Sequence, residues 1–455
     1  SLVGSEMCIR DSFSPYLDKT TARGKSWRSM AGDLPDRHLV WRLVQDHVEA
    51  DLFFLATEFG IFFTIDGGGQ WIKLEGGAPT ISFRDLAIQR RENDLVGASF
   101  GRGFYVLDDY TPLREVTDEV LASEAHLFKV KDALWYTQRR TLGQGGQAAQ
   151  GAGYFIAENP PFGAVFTYHL ADGLTTLKKE RREAEKKLEK EGADTPFAGF
   201  DALETERRQP EPAILLTIRN ADGDVVRTVT GPAKKGFHRV AWDLRYPTTK
   251  AVELIRSEPN PWERGGGGHK APPGSYTVTL SKRVDGEATV LAGPTPFEVV
   301  RVFPGSLEGT DPADAARYMA RVAELRRAAT AADEALKNGF GRVERLSEAL
   351  GRSTIDPGTL DTELEAIRQR LHDIDARLSG NRSAASFNVP QTPTVSRRLR
   401  VAGFSDGQSD YGPTPHHRRQ LEIAETEFAE ILPELKALLE VDLPALETKM
   451  EAEGV

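Results

Sequence analysis

The chain has 455 residues, more than one hydrophobic core usually organises, so roughly two to four domains are expected. With 39% hydrophobic and 28% charged residues it has the composition of a globular protein rather than a disordered one. A net charge of -10 removes any general attraction to phosphate backbones, and no apolar run approaches the ~20 residues that span a bilayer, so neither nucleic acid nor a membrane span is expected.

Residues 1–12, "SLVGSEMCIRDS", match the translated end of a sequencing-library adapter and are set aside from fold reasoning, with the sole cysteine, Cys8, among them. The expectation is a chain without cysteine chemistry whose true N-terminus and signal peptide lie upstream.

A repeat follows. "DLFFLATEFGIFFTID" and "DLVGASFGRGFYVLDD" place Asp51 and Asp94, Leu52 and Leu95, Gly60 and Gly103, and Asp66 and Asp109 each 43 residues apart. "TTARGKSW" sets Thr20, Gly24 and Trp27 each 44 residues before Thr64, Gly68 and Trp71. Within a period, alternating or fully apolar runs broken by Gly and Asp predict four strands. They are Val40–Asp46, Leu52–Thr57, Gly60–Ile65 and Trp71–Leu74, then Phe83–Gln89, Asp94–Ser99, Gly103–Leu107 and Leu113–Val116. Four strands in just over forty residues is a β-propeller blade. Two blades and the outer end of a third fall short of a ring, which predicts that residues 13–117 are the terminal blades of a longer protein and leave an apolar flank or strand edge open.

Thr64, Asp66, Gly68 and Trp71 form a Thr-x-Asp-x-Gly-x-x-Trp box in the turn between a third and a fourth strand. Asp66 is suited to accept turn amides, the glycines to supply positive φ, and Trp71 to pack between blades. Ala22 stands at the Asp position of the earlier copy, a change that a turn tolerates better than an active site does. A structural role is expected for the box.

Residues 118–160, with "GQGGQAAQGAG", are expected to be a linker. Residues 161–303 predict a β-sandwich from "GAVFTYHL", "AILLTIRNADGDVVRTVTG", "HRVAWDLR" and "PGSYTVTLSKRVDGEATVLAG". Asp222-Gly223 and Asp285-Gly286 mark its hairpins. The mixed-charge run from Leu177 to Glu191 predicts a solvated helical insertion over 173–209. Residues 304–455 predict a helical bundle, from the stripes Met319, Val322, Leu325, then Leu364, Ile367, Leu371, Ile374, Leu378, then Leu421, Phe428, Ile431, Leu435, Leu438. A long loop is expected over 380–415, and Pro433 marks a kink or a break.

The box, "DLVGASFGRGFYVLDDYTPLREV", "ENPPFGAVFTYHL" and "GFHRVAWDLRYP" together resemble the large exported bacterial Asp-box (BNR-repeat) propeller proteins, sortilin-like and often labelled glycosyl hydrolases. The second β module is similar to the immunoglobulin-like domain of flagellar hook-capping proteins. The resemblance implies a multidomain chain, mainly β with α: an incomplete propeller, an immunoglobulin-like sandwich and a helical bundle. It implies an exported parent that binds protein, peptide or glycan, needs no cofactor and keeps the box at the blade periphery. The alternative is a glycoside hydrolase whose carboxylate pair lies in missing blades. No catalytic or metal site is expected here: Asp108 and Asp109 point to opposite faces of a strand, Asp85 suits blade stability, Asp243 and Arg245 suit an ion pair, and His416 and His417 suit a helix cap. Asn220, Asp222 and Asp224 lack the rest of a calcium loop, and the loop carrying His269 lacks the Lys-Ser/Thr ending of a phosphate loop.

Overall fold

A computed structural model describes residues 2–4, 13–138, 157, 159–249, 267–303, 308–387, 389–403 and 409–455. The chain is mainly β through its first two thirds and helical after residue 311.

Three antiparallel sheets come first: β1 (Leu2–Gly4), β2 (Asp18–Thr20) and β3 (Arg28–Ser29); β4 (Val40–Gln45), β5 (Phe53–Thr57), β6 (Gly60–Thr64) and β7 (Ile72–Lys73); β8 (Phe83–Gln89), β9 (Asp94–Ser99) and β10 (Phe104–Leu107). Residues 2–4, set aside above, therefore take part in a sheet. The pairing repeats from unit to unit. Lys19 faces Arg28 as Phe63 faces Ile72, and a bulge between Val40 and Arg42 recurs between Phe83 and Asp85.

One strand departs from the sequence spacing. Arg42 faces Ala56 and Asp85 faces Ala98, so β9 lies 42 rather than 43 residues after β5, and the counterpart of Leu95 is Phe53, not Leu52. Phe53 and Leu95 both point back toward the preceding unit and are fully buried, whereas Leu52 points forward. A one-residue slip would send every side chain of β9 to the wrong face, so the residue lost before the strand is returned in the longer β9–β10 turn. There the Ser99 hydroxyl donates to the Gly103 carbonyl at 2.8 Å, as the Thr57 hydroxyl does to Gly60 at 2.9 Å.

The strand predicted over Leu113–Val116 is absent. Thr111–Glu115 form a 3-10 turn, and a short helix, α1 (Asp118–Ala122), follows. Pro112 has no N–H to give a ladder, and the flanking side chains are drawn inward. The Tyr110 hydroxyl donates to Asp46 Oδ1 at 2.6 Å, and the Arg114 guanidinium donates to both Asp46 oxygens at 2.9 Å. Asp46 also accepts the amides of Val48 and Glu49, and its side chain is wholly buried.

Eight strands form two further sheets around one apolar core. β11 (Ala125–Leu127), β13 (Ala164–Leu170) and β16 (Gly236–Trp242) make one, and β12 (Ala133–Trp135), β18 (Glu287–Arg301), β17 (Gly274–Val284), β14 (Ala213–Asn220) and β15 (Val225–Gly231) the other. Alternation places Ile214, Leu216 and Ile218 of β14 and Phe166 and Tyr168 of β13 inside, with Trp242 between the sheets. The β17–β18 hairpin turns on Asp285 and Gly286 at φ +52° and +84°, the left-handed pair that Asp-Gly tolerates. Residues expected to be linker thus include α1, β11 and β12, while the Gly/Gln-rich run over 143–153 lies outside the described residues. Short apolar strands of three residues carry too little periodicity to be seen in sequence. α2 (Leu177–Lys190) and α3 (Phe200–Arg208) occupy the charged run and bury none of their residues.

The last third packs α4 (Pro312–Arg352), α5 (Leu360–Leu378), α7 (Val395–Ala402), α8 (Pro415–Ala437) and α9 (Leu443–Glu453) around one core, with the short α6 (Arg382–Ser386) between α5 and α7. Asp311 caps α4 by accepting the amides of Ala313 and Asp314. The loop expected over 380–415 instead contains α6 and α7, and α7 buries Val395, Leu399 and Ala402. Its arginines masked the stripe. α8 continues through Pro433 and passes into a π turn at Leu438–Asp442.

Candidate functional site

The Thr64–Trp71 turn joins β6 to β7. The Thr64 hydroxyl donates to Asp66 Oδ1 at 2.7 Å and accepts the Gly68 amide at 3.1 Å. Asp66 Oδ1 also accepts the amides of Gly69 at 2.8 Å and Gln70 at 3.1 Å. Burial works to raise the Asp66 pKa, but these hydrogen bonds outweigh it and hold the carboxyl below its ordinary value. Gly67 and Gly68 sit at φ +75° and +99°, and a Cβ on Gly68 would meet Met30 Cε at 2.9 Å.

Trp71 reaches back to the preceding unit. Its indole N–H donates to the Met30 carbonyl at 2.8 Å and its amide to Asp33 at 2.7 Å, and the ring lies among Leu17, Met30, Leu34, Phe53 and Phe62. In the earlier copy the Thr20 hydroxyl accepts the amides of Ala22 and Gly24, as Thr64 accepts those of Asp66 and Gly68. The hydroxyl-to-amide bonds survive the change of Asp66 to Ala22, while Trp27 is 54% exposed.

A cavity of about 490 Å³ lies between the β8–β10 sheet, the second complete unit of the repeat, and the β13–β16 sheet. Asp94, Asp108 and Asp109 line one wall and Tyr136, Phe162 and Arg239 the other, with Tyr136 and Phe162 edge to face at 5.1 Å. Arg239 donates to the backbone carbonyls of Asp108 and Asp109, tying sheet to unit. Burial, then the neighbouring Asp94, pushes the Asp108 carboxyl up against the opposing pull of Arg239; Asp109 adds to the rise and Lys131 resists it. Sequence reasoning paired Asp108 only with its neighbour Asp109; Asp94 joins them across the β9–β10 pairing, a contact that strand order alone encodes.

Asp85 pairs with Arg42 at 3.3 Å across adjacent units and caps the Leu86 amide. Asp243 accepts the Arg245 amide. His417 completes a capping box with Thr414 at the start of α8, and burial, then His416, lowers its pKa. His269 is buried and stacks on Tyr246 at 4.4 Å. Asn220 Oδ1 accepts the Asp224 amide and closes the β14–β15 hairpin. Among the described residues no group of three or more His, Cys, Asp or Glu side chains is placed to hold a metal, and no helix is long and apolar enough to cross a membrane.

No protein-family model and no curated protein matches the sequence. Among solved structures the chain is similar to PorZ, a surface component of the type-IX secretion system of Porphyromonas gingivalis, at 10% identity and a TM-score of 0.17 over 61% of this chain and 24% of that one. It is similar to the extracellular domain of BT3049 from B. thetaiotaomicron at 9% identity and 0.18, over 63% and 29% of the two chains. It is also similar to the extracellular domain of BT4673 from the same organism at 8% and 0.17, over 64% and 29%. The chain thus spans less than a third of each, and at such TM-scores the overlaps establish neither a shared fold nor a shared role.

Proposed function

We propose that the chain is the C-terminal part of an exported Asp-box propeller protein with a binding or scaffold role toward protein, peptide or glycan. In this reading residues 13–117 are its last blades, β11–β18 an immunoglobulin-like sandwich and residues 304–455 an accessory bundle. The observation that carries it is the repeated turn: Asp66 Oδ1 is committed to the Thr64 hydroxyl and two turn amides, and Trp71 bonds to the previous unit. That is the chemistry of a joint between blades. The upstream reading frame tests the propeller: further copies of the box and a signal peptide are expected, and their absence would refute it. Culture fractionation of the complete protein tests export.

A second reading makes the parent a glycoside hydrolase. The Asp108 carboxyl, pushed upward by burial and the neighbouring Asp94 in a cavity with an aromatic wall, favours it, because an upward shift is the direction a general acid needs. An oligosaccharide screen of the complete protein and of Asp108→Asn separates the two: hydrolysis lost in the variant supports the hydrolase, and no hydrolysis by either supports binding.

A further inference from the structure

Among the described residues the second unit, β8–β10, has no outer strand, yet the place for one is present. In the first unit β7 pairs with β6 at Phe62 and Phe63, and Trp71 at its head is seated among Leu17, Met30, Leu34, Phe53 and Phe62. Carrying each residue forward by the offset of its own strand, 42 to 44 positions, gives Ile61, Leu74, Ala78, Leu95 and Tyr105. All five line one cavity of about 240 Å³ beside the open edge of β10.

Glycine supplies an independent mark of vacancy. Gly32, at φ +51°, lies so close to the incoming box loop that a Cβ there would meet the Gly69 and Gly68 carbonyls at 2.7 and 2.9 Å. Its counterpart Gly76 keeps the positive φ, +91°, with nothing among the described residues within 4 Å of that Cβ position. The forward face, which a following unit would cover, is open as well. Ile61 is 3% exposed beneath the second unit, whereas its counterpart Phe104 is 77% exposed.

We infer that this cavity and the β10 edge form a docking seat for an extended strand led by tryptophan, contributed by another copy of the repeat from outside these 455 residues. The strand adds antiparallel to β10 as β7 does to β6, main-chain hydrogen bonds giving affinity and the indole giving specificity. The chain's own candidate for the position, Leu113–Val116, is drawn away by the Asp46 bonds to Tyr110 and Arg114. One difference is built in: Gly77 stands where Asp33 accepts the Trp71 amide, so the seat offers one polar contact fewer. The inference rests on reading the units as blades, but not on what the complete propeller binds.

The test uses the intact chain and a capped, fluorescently labelled peptide copying residues 67–76, GGGQWIKLEG. Anisotropy should show saturable binding, weakened about tenfold or more when the peptide tryptophan becomes alanine, as an interface anchor requires. Ala78→Phe, which fills the cavity, should abolish binding while the chain melts as before. Saturable binding indifferent to the tryptophan, or none at millimolar peptide, would overturn the seat. If the chain instead dimerises, Trp27→Ala restores the monomer and the peptide competes, a second copy is the occupant and the proposed source is wrong. A functioning seat in a parent without further boxes would refute the propeller and leave the seat standing; a propeller parent whose peptide fails to bind would do the reverse.

Discussion

Replacing Asp46 by asparagine should unfold the first two units well before the rest of the chain. The carboxylate is wholly buried and accepts from Tyr110, twice from Arg114, and from the amides of Val48 and Glu49. Burial alone would raise its pKa, but Arg114, the Glu49 amide, Tyr110 and the Val48 amide outweigh that cost and hold it well below the usual carboxylate range. An asparagine keeps the shape but turns one acceptor into a donor facing Arg114, whose guanidinium is left with an unpaired charge. Breaking a buried pair in this way costs about 3–5 kcal/mol. For a unit of about 100 residues, where 1 kcal/mol moves Tm by about 4–8 °C, the shift should be about 12 °C or more. A thermal melt reads the shift, and hydrogen exchange of peptides over 40–57 and 104–117 assigns it to these units, with the α4–α9 bundle as internal control. The acid dependence has a definite sign: the folded pKa lies below the ordinary 3.8, so the stabilisation is complete above about pH 4 and is lost as pH falls through the folded value, and Asp46→Asn should remove that loss. If Asp46→Asn exchanges like the parent chain, or if its cost simply adds to that of Arg114→Ala, the network does not act as one unit.

The other expectations concern the turn and its tryptophan. Gly68→Ala should destabilise the first unit by about 1–3 kcal/mol more than Gly24→Ala, since both glycines have positive φ but only Gly68 packs against Met30; local hydrogen exchange decides. Trp71→Phe should cost about 1 kcal/mol for the lost bond to the Met30 carbonyl, and Trp71→Ala about 3–5 kcal/mol, read as paired urea melts. Asp66→Ala should lower stability by about 1–2 kcal/mol, and the parent's advantage over it should fade below about pH 4, because the folded carboxyl is held below its ordinary pKa.

How much of this was readable in the sequence depended on length and on neighbours. Long stripes such as Leu364, Ile367, Leu371, Ile374 and Leu378 are buried on one face of α5 because a helix of nineteen residues repeats its signal several times. β11 and β12, three residues each, repeat theirs hardly at all, and their pairing with β13 and β18 is a long-range choice. α7 hid Val395 and Leu399 among three arginines, of which Arg397 and Arg400 are exposed and Arg398 reaches Glu427 on α8. The box was legible as a turn, since Thr64, Asp66 and the glycines bond within a few residues of one another. The aspartate-lined cavity was not, because Asp94 and Asp108 meet only through strand pairing, and Tyr136, after β12, and Phe162, before β13, approach them from two further sheets.

The repeat itself shows why identity is a poorer ruler than pairing. Asp51 and Asp94, and Leu52 and Leu95, align by letter at 43, but the β4–β5 and β8–β9 ladders set Phe53 and Leu95 in the same place. Burial requires this: a fully buried strand is tolerant of which apolar residue it carries but not of which face that residue takes. Packing therefore fixes the face and leaves the choice of apolar residue open, while a turn such as Ser99–Gly103 absorbs the difference. The same logic explains the vacant cavity beside β10. Gly76 retains a left-handed backbone and Leu95 and Tyr105 retain the apolar wall, though nothing among the described residues fills the place that Trp71 fills one unit earlier.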